Sequence, residues 1–249
     1  MNTTQHKLPL VIFLVCIMAL SLLSCTAERI TRHGSIARVK LPFEARNDAF
    51  WWASRFKIFW PSERGADGTV DLLLAHAVVG PVLEKHANEL VCWRFHRRAA
   101  RDKTGHQFSF LFYAVPDAAG EIFQEIQQNE ILRKAVEAGT VEKVIVDDPA
   151  DPSRPKIGDM SDPQWSPVLQ RNWPSFIMGV SSLWLGLISE GMADSSLEDN
   201  DINALLEHYR KVDAEITSIW NKEGQHALLH HLNALFGYEP LLIRKELSF

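Results

Sequence analysis

Residues 90–115 read L-V-C-W-R-F-H-R-R-A-A-R-D-K-T-G-H-Q-F-S-F-L-F-Y-A-V, and no other stretch limits the possible folds as tightly. Along its first arm Val91, Trp93 and Phe95 alternate with Cys92, Arg94, His96 and Arg98. Along its second, Phe108, Phe110 and Phe112 alternate with Gln107, Ser109, Leu111 and Tyr113. Period-2 alternation of aromatic and β-branched residues is the strand signature, so the two arms predict a β-hairpin with one aromatic face turned to a core. Its loop, 100–106, is charged and ends in Thr104-Gly105, where glycine supplies the positive φ that a bulged hairpin loop needs. The opposite face carries Arg94, His96 and Arg98 beside Ser109 and Tyr113. Basic groups at alternate strand positions stand about 7 Å apart on one side. Such a set can clamp a carboxylate or a phosphate. These five residues are the candidate ligand-binding set. The competing role for the bases is structural, as charge pairs covered by acidic C-terminal helices.

The flanks give the hairpin its layers. Residues 49–61 hold six aromatics in thirteen positions. Fully exposing such a run would invite aggregation, so it is assigned to the core, with Trp51 or Trp52 as the ring left at the surface. Val70, Leu73, Leu74, Ala77, Val78 and Val82 recur at helical spacing and predict a helix over 69–86, bent at Gly80-Pro81. Pro116-Asp117 opens a helix with stripes Ile122, Phe123, Ile126 and Ile131, Leu132, Ala135, Val136, and Gly139 stops it. Residues 141–146 read as a short strand apolar on both faces. Residues 35–41 alternate as a further short strand. Helix, strand, strand, helix, strand over 69–147 predicts an α+β fold of ferredoxin-like flavour, a small, mostly antiparallel sheet with helices packed on it.

The segment 148–174 is rich in proline and, with its border, holds Asp147, Asp148, Asp151, Asp159 and Asp162. It lacks the ligand order and turn glycine of a calcium loop, and reads as a surface connector pinned by Trp165 and Trp173. The part from 175 to 249 is helical. Phe176, Ile177, Val180, Leu183, Trp184, Leu187 and Ile188 are spaced for a buried helix ending at Gly191. Ile202, Leu205, Leu206, Tyr209, Val212, Ile216, Ile219 and Trp220 mark a continuous helix over 200–222, with a short final helix before Gly237. Residues 35–249 thus form one domain, with a sheet part over 35–147 and a C-terminal helical layer.

Charge and motifs exclude several functions. Of 26 Lys+Arg and 31 Asp+Glu only Lys7 precedes Cys25, leaving 25 positive and 31 negative groups from there on, a formal charge of −6. Nucleic acid is therefore not an expected partner. No G-x-S-x-G, P-loop or C-x-x-C occurs, so no cofactor is assigned. His226 and His230 share a helix face, with His231 adjacent and Glu223 nearby, but no H-E-x-x-H is present and no metal is assigned there. Cys92 lies within the strand alternation as an inert buried thiol.

The start of the chain says where it goes. After His6 and Lys7 an uninterrupted apolar run extends from Leu8 to Leu23, 16 residues, shorter than the roughly 20 a spanning helix needs. This is the pattern of a secretory signal. The run ends Leu22-Leu23-Ser24-Cys25, which resembles the lipobox of bacterial lipoproteins. The resemblance implies that residues 1–24 are a signal peptide cut before Cys25, that the Cys25 sulfur is diacylated, and that its new amino group is acylated. Residues 25–34 are then a lipidated tether. Thr26 follows the cysteine in place of the aspartate that retains sorted lipoproteins at the inner membrane, so the outer membrane facing the periplasm is the expected address. Ordinary cleavage after Ala27, giving a secreted protein, and an uncleaved tether are the alternatives. The element order also resembles, in topology alone, the small elimination domain of lantibiotic dehydratases. That family's R-Y-G-G segment is missing, and no residue role is carried over. The expectation is a lipid-anchored envelope protein that serves as a binding or structural module for an envelope partner. The alternative is an envelope enzyme using the Arg/His/Tyr strand face on an anionic substrate.

Overall fold

The computed structural model describes residues 47–151, 153–193 and 201–238; the signal, Cys25 and the strand expected at 35–41 lie outside the described residues. The hairpin forms as read, with β2 at Cys92–Ala99 and β3 at His106–Ala114. Gly105 closes the loop at φ +67°. The aromatic run is itself a strand, β1, Phe50–Ile58, and it is the interior strand rather than a flank. It pairs antiparallel with β3 on one side and on the other with β4, Val141–Val146, giving the order β2-β3-β1-β4. Both Trp51 and Trp52 are 1% exposed, against the expectation that one ring stays at the surface. The first half of β1, Trp51–Ser54, is buried on both faces and has no polar face to alternate with, so only Arg55 and Lys57 against Phe56 and Ile58 carry a strand period.

The crossover from β1 to β2 is one continuous helical segment: α1, Thr69–Leu73; a π segment, Leu74–Val79; and α2, Gly80–Lys85. The predicted interruption at Gly80-Pro81 takes this π form. Pro81 has no N–H for the Ala77 carbonyl, and the Asn129 side chain donates to that oxygen at 3.1 Å instead. Asn129 also caps the next helix by accepting from Leu132 N–H. It separates α3, Pro116–Gln128, from α4, Glu130–Glu137. The complete order is therefore βαββαβ with strands 4-1-3-2, the ferredoxin-like arrangement of an α+β fold.

One face of the sheet, Trp52, Phe56, Phe108, Phe110 and Phe112, meets Leu72, Val78, Ile122, Phe123 and Ile126 of these helices in the main core. The strand β4 departs from expectation. It is an edge strand, with Ile145 exposed, not a strand buried on both faces. The connector does not run freely over the surface. Trp51 N–H donates to Pro155 O, and Trp51 Nε1 donates to Ile157 O, which lays 154–160 against the second face at one end of the sheet. Trp165 and Trp173 pack on each other.

The next helix, α5, runs Pro167–Gly191 and begins inside the expected connector, with Pro174 within it. It lies along β2: Ser181 Oγ accepts from Phe95 N–H at 3.1 Å and Trp184 packs edge-on to Phe95. That covers the free edge of the sheet. Phe176, Val180 and Leu183, expected in the buried stripe, are exposed because only one side of α5 meets the body. The long helix α6, Ile202–Gly224, packs through Leu205, Tyr209 and Val212, while its last turns, with Ile219 and Trp220, are exposed. A π segment, Gln225–His230, and α7, His231–Leu235, continue it.

Candidate functional site

Register assigns every side chain on the second sheet face. Arg98 lies opposite Gln107, Gln107 opposite Lys57, and Lys57 opposite Lys143, one row across all four strands. The next row is His96, Ser109, Arg55 and Ile145, and the next Arg94, Leu111 and Ala53. The expected bases Arg94, His96 and Arg98 do share a face. They are joined there by Arg55, Lys57 and Lys143, which the sequence reading did not place because it did not recognise β1 as the neighbour of β3. The only trace in the sequence was Arg55 and Lys57, two apart within the aromatic run.

The remaining members of the expected set are set back from this patch. Ser109 is buried, and receives a hydrogen bond from Gln107 Nε2. Tyr113 is 1% exposed and packs with Trp51, Cys92 and Leu111 beneath Ile157, Met160 and Met178. Burial pushes the Tyr113 phenol up and the Cys92 thiol up to about 12, so neither is a nucleophile. The open part of the face is the end bearing His96, Arg98, Lys57 and Lys143.

Its electrostatics are unequal. Asp147 is buried and fully engaged: Arg55 bonds it at 2.8 Å, Arg154 bonds its other oxygen, and Ala53 N–H donates to it at 2.8 Å. Arg98 is held by Asp102 of its own hairpin loop, and that pairing, with the Thr104 and Gly105 N–H groups, keeps Asp102 well below the usual carboxylate range. Arg94, half-buried, has no carboxylate within ion-pair distance among the described residues, nor do Lys57 and Lys143. The helices α6 and α7 do not cover this face; α6 joins the core on the opposite side. Burial pushes His96 below its ordinary value, and Arg94 and Arg98 push it further, so the imidazole is neutral at pH 7.

At the loop end of the hairpin lies a cavity of about 330 Å³ lined by Lys57, Trp60, Arg101, Asp102, His106 and Glu142, among others. The Arg101 guanidinium stacks on Trp60 at 3.6 Å. Lys57 belongs both to this cavity and to the basic row, so the two are continuous.

On the core side of β2, Arg97, itself partly exposed, pairs with the buried Asp71. Its Nε bonds Asp71 at 2.9 Å, and His106 Nε2 contacts both Asp71 oxygens at 3.1 and 3.2 Å. This cluster ties α1 to the hairpin. This pair differs from the structural alternative read from the sequence, since its base is Arg97 and its acid stands on α1 and not on a C-terminal helix. The histidines at 226, 230 and 231 cluster on the exposed helical end of the chain with ring centroids 5.2 to 5.6 Å apart, His226 and His230 stacked and His231 edge-on to both. No family model, curated protein or solved structure matches the chain.

Proposed function

We propose that this protein is an envelope binding module that takes an anionic ligand on the cation-rich face of its sheet, held at the outer membrane by lipid on Cys25. The observation that carries the reading is Arg94, half-buried with no carboxylate in ion-pair distance among the described residues, on the same face as Lys57 and Lys143, which are likewise without one and stand two rows away. Unpaired like charges destabilise the fold that keeps them, and a phosphate- or carboxylate-bearing ligand supplies what is missing. The acidic remainder of the chain argues against general polyanion binding and for a local site. The cavity beside Lys57, with Trp60 and Arg101 at its wall, supports a second reading, an enzyme acting on the same anionic ligand.

Titrating inorganic triphosphate and a sulfated oligosaccharide into the protein tests the first reading. Saturable binding that weakens with salt, and is lost in Arg94→Ala/Lys57→Ala without loss of fold, is expected. Equal binding by that variant would sink the proposal.

A further inference from the structure

Away from the sheet face, the turn after α2 meets α3 at His86. The side chain of His86 is 3% exposed, and its Nδ1 lies 2.7 Å from Glu89 Oε2 in the same turn. Its Nε2 lies 3.2 Å from Glu125 Oε1 on α3, yet it makes no hydrogen bond and is shut off from water. Donor atoms of His86, Glu89 and Glu121 all fall within 4.8 Å of one another, the one such group of histidine, cysteine and acidic side chains among the described residues. Glu121 and Glu125 stand one helical turn apart on α3.

The protein's own charges do not close this cluster. Glu89, Glu121 and Glu125 bring three negative charges, and Lys85, bonded to Glu125, brings one positive. Protonating His86, which lies between Glu89 and Glu125, still leaves the group at −1. A dication in place of that proton brings the sum to zero. Metal–ligand bonds of about 2.0–2.2 Å set neighbouring donor atoms about 3–3.5 Å apart. To reach that spacing His86 Nδ1 and Glu89 Oε2, 2.7 Å apart, must open by roughly 0.5 Å, and the widest pair of donors, up to 4.8 Å apart, must close by roughly 1 Å. The exposed glutamates can do this by changing rotamer while the buried imidazole stays fixed.

We propose that His86, Glu89 and Glu121 bind a divalent transition metal, with Glu125 bracing the far nitrogen of the imidazole. Glu125 then takes the Nε2–H, which fixes the tautomer that leaves the Nδ1 lone pair for the metal, the usual carboxylate–histidine–metal relay. One imidazole with carboxylates suits Zn²⁺ or Mn²⁺; the all-oxygen preference of Ca²⁺ and Mg²⁺ fits it less well. Bound there, the ion fastens the turn after α2 to α3, and binding releases the His86 proton.

The test uses chelator-stripped protein titrated with ZnCl₂ and with MnCl₂, followed by calorimetry and thermal melts. The exposed histidines 226, 230 and 231 are the rival ligands, so each titration is repeated in His226→Ala/His230→Ala. One-site binding that survives in that background and raises the melting temperature is expected. Glu121→Gln, which keeps the size of an exposed side chain, is expected to weaken it about tenfold or more. His86→Gln should abolish it, and if that variant fails to fold, Glu121→Gln alone decides. No saturable binding, binding unaffected by Glu121→Gln, or binding lost in the His226→Ala/His230→Ala background would each overturn the proposal.

Discussion

Arg94 and Arg97 stand three positions apart on one strand and face opposite sides of the sheet. Arg97 reaches a buried carboxylate, and Arg94 reaches none among the described residues. Removing the acid from the first pair strands a buried imidazole and a guanidinium, so Asp71→Ala is expected to cost about 3–5 kcal/mol in a denaturant melt. Arg94→Ala should leave stability within about 0.5 kcal/mol or raise it, since relieving unpaired like charge costs nothing in the fold. A loss as large as that of Asp71→Ala would make Arg94 structural. His96 gives the pH dependence. Its folded value lies below the ordinary 6.5, so its contribution to stability is present above that value and is lost as pH falls toward the lowered one. An anion bound beside it favours the protonated ring. Affinity for a sulfated oligosaccharide should therefore rise as pH drops from about 7.5 to about 5.5. His96→Gln should flatten that rise and keep the binding seen at neutral pH.

The helix α6 shows how one regular element can do two things. Its stripe is continuous in sequence, but only Leu205, Tyr209 and Val212 are fully buried, with Ile202, Leu206 and Ile216 packed against the core at its margin and Tyr209 OH meeting His76 Nδ1 at 2.8 Å. Leu205→Ala should cost about 2–5 kcal/mol, whereas Ile219→Ala, in the exposed last turns, should change a melt by less than about 0.5 kcal/mol. Equal effects would mean that the last turns are covered. Its contact with α5 depends on Gly191. A Cβ there would fall 2.8 Å from Val212 Cγ1, inside any normal contact, so Gly191→Ala should destabilise despite its better helix propensity.

For the molecule as a whole, layering decides what is left for binding. Helices take one face of the sheet, the 154–160 segment takes one end of the other, and the basic end remains. Among the described residues no helix is long and apolar enough to cross a membrane. The proposed attachment is through lipid on Cys25, and on that proposal Cys25→Ser is expected to move the protein into the soluble fraction and to abolish labelling with a fatty-acid analogue. Labelling that persists in the variant would remove the lipobox from the proposal.

Hairpin, helices and fold class were legible because each of those elements shows water to one side and core to the other, and the period survives in the residues. Phe95 and Phe110 against Arg94 and His96 is such a case, and so is the stop at Gly139, which takes φ +72°. The strand β1 was hard to read as a strand, because Trp51 and Trp52 are buried on opposite faces and the alternation is left to the short stretch Arg55–Ile58. With β1 unplaced, Arg55, Lys57 and Lys143 could not be joined to Arg94 and His96. Those residues lie far apart in the chain and become neighbours only through strand pairing. The same is true of His86 with Glu121, and of Arg97 with Asp71. Local periodicity determines which faces exist, because burial repeats with the geometry of helix and strand. Which charges meet across those faces is decided by register and layer order, and these are tertiary.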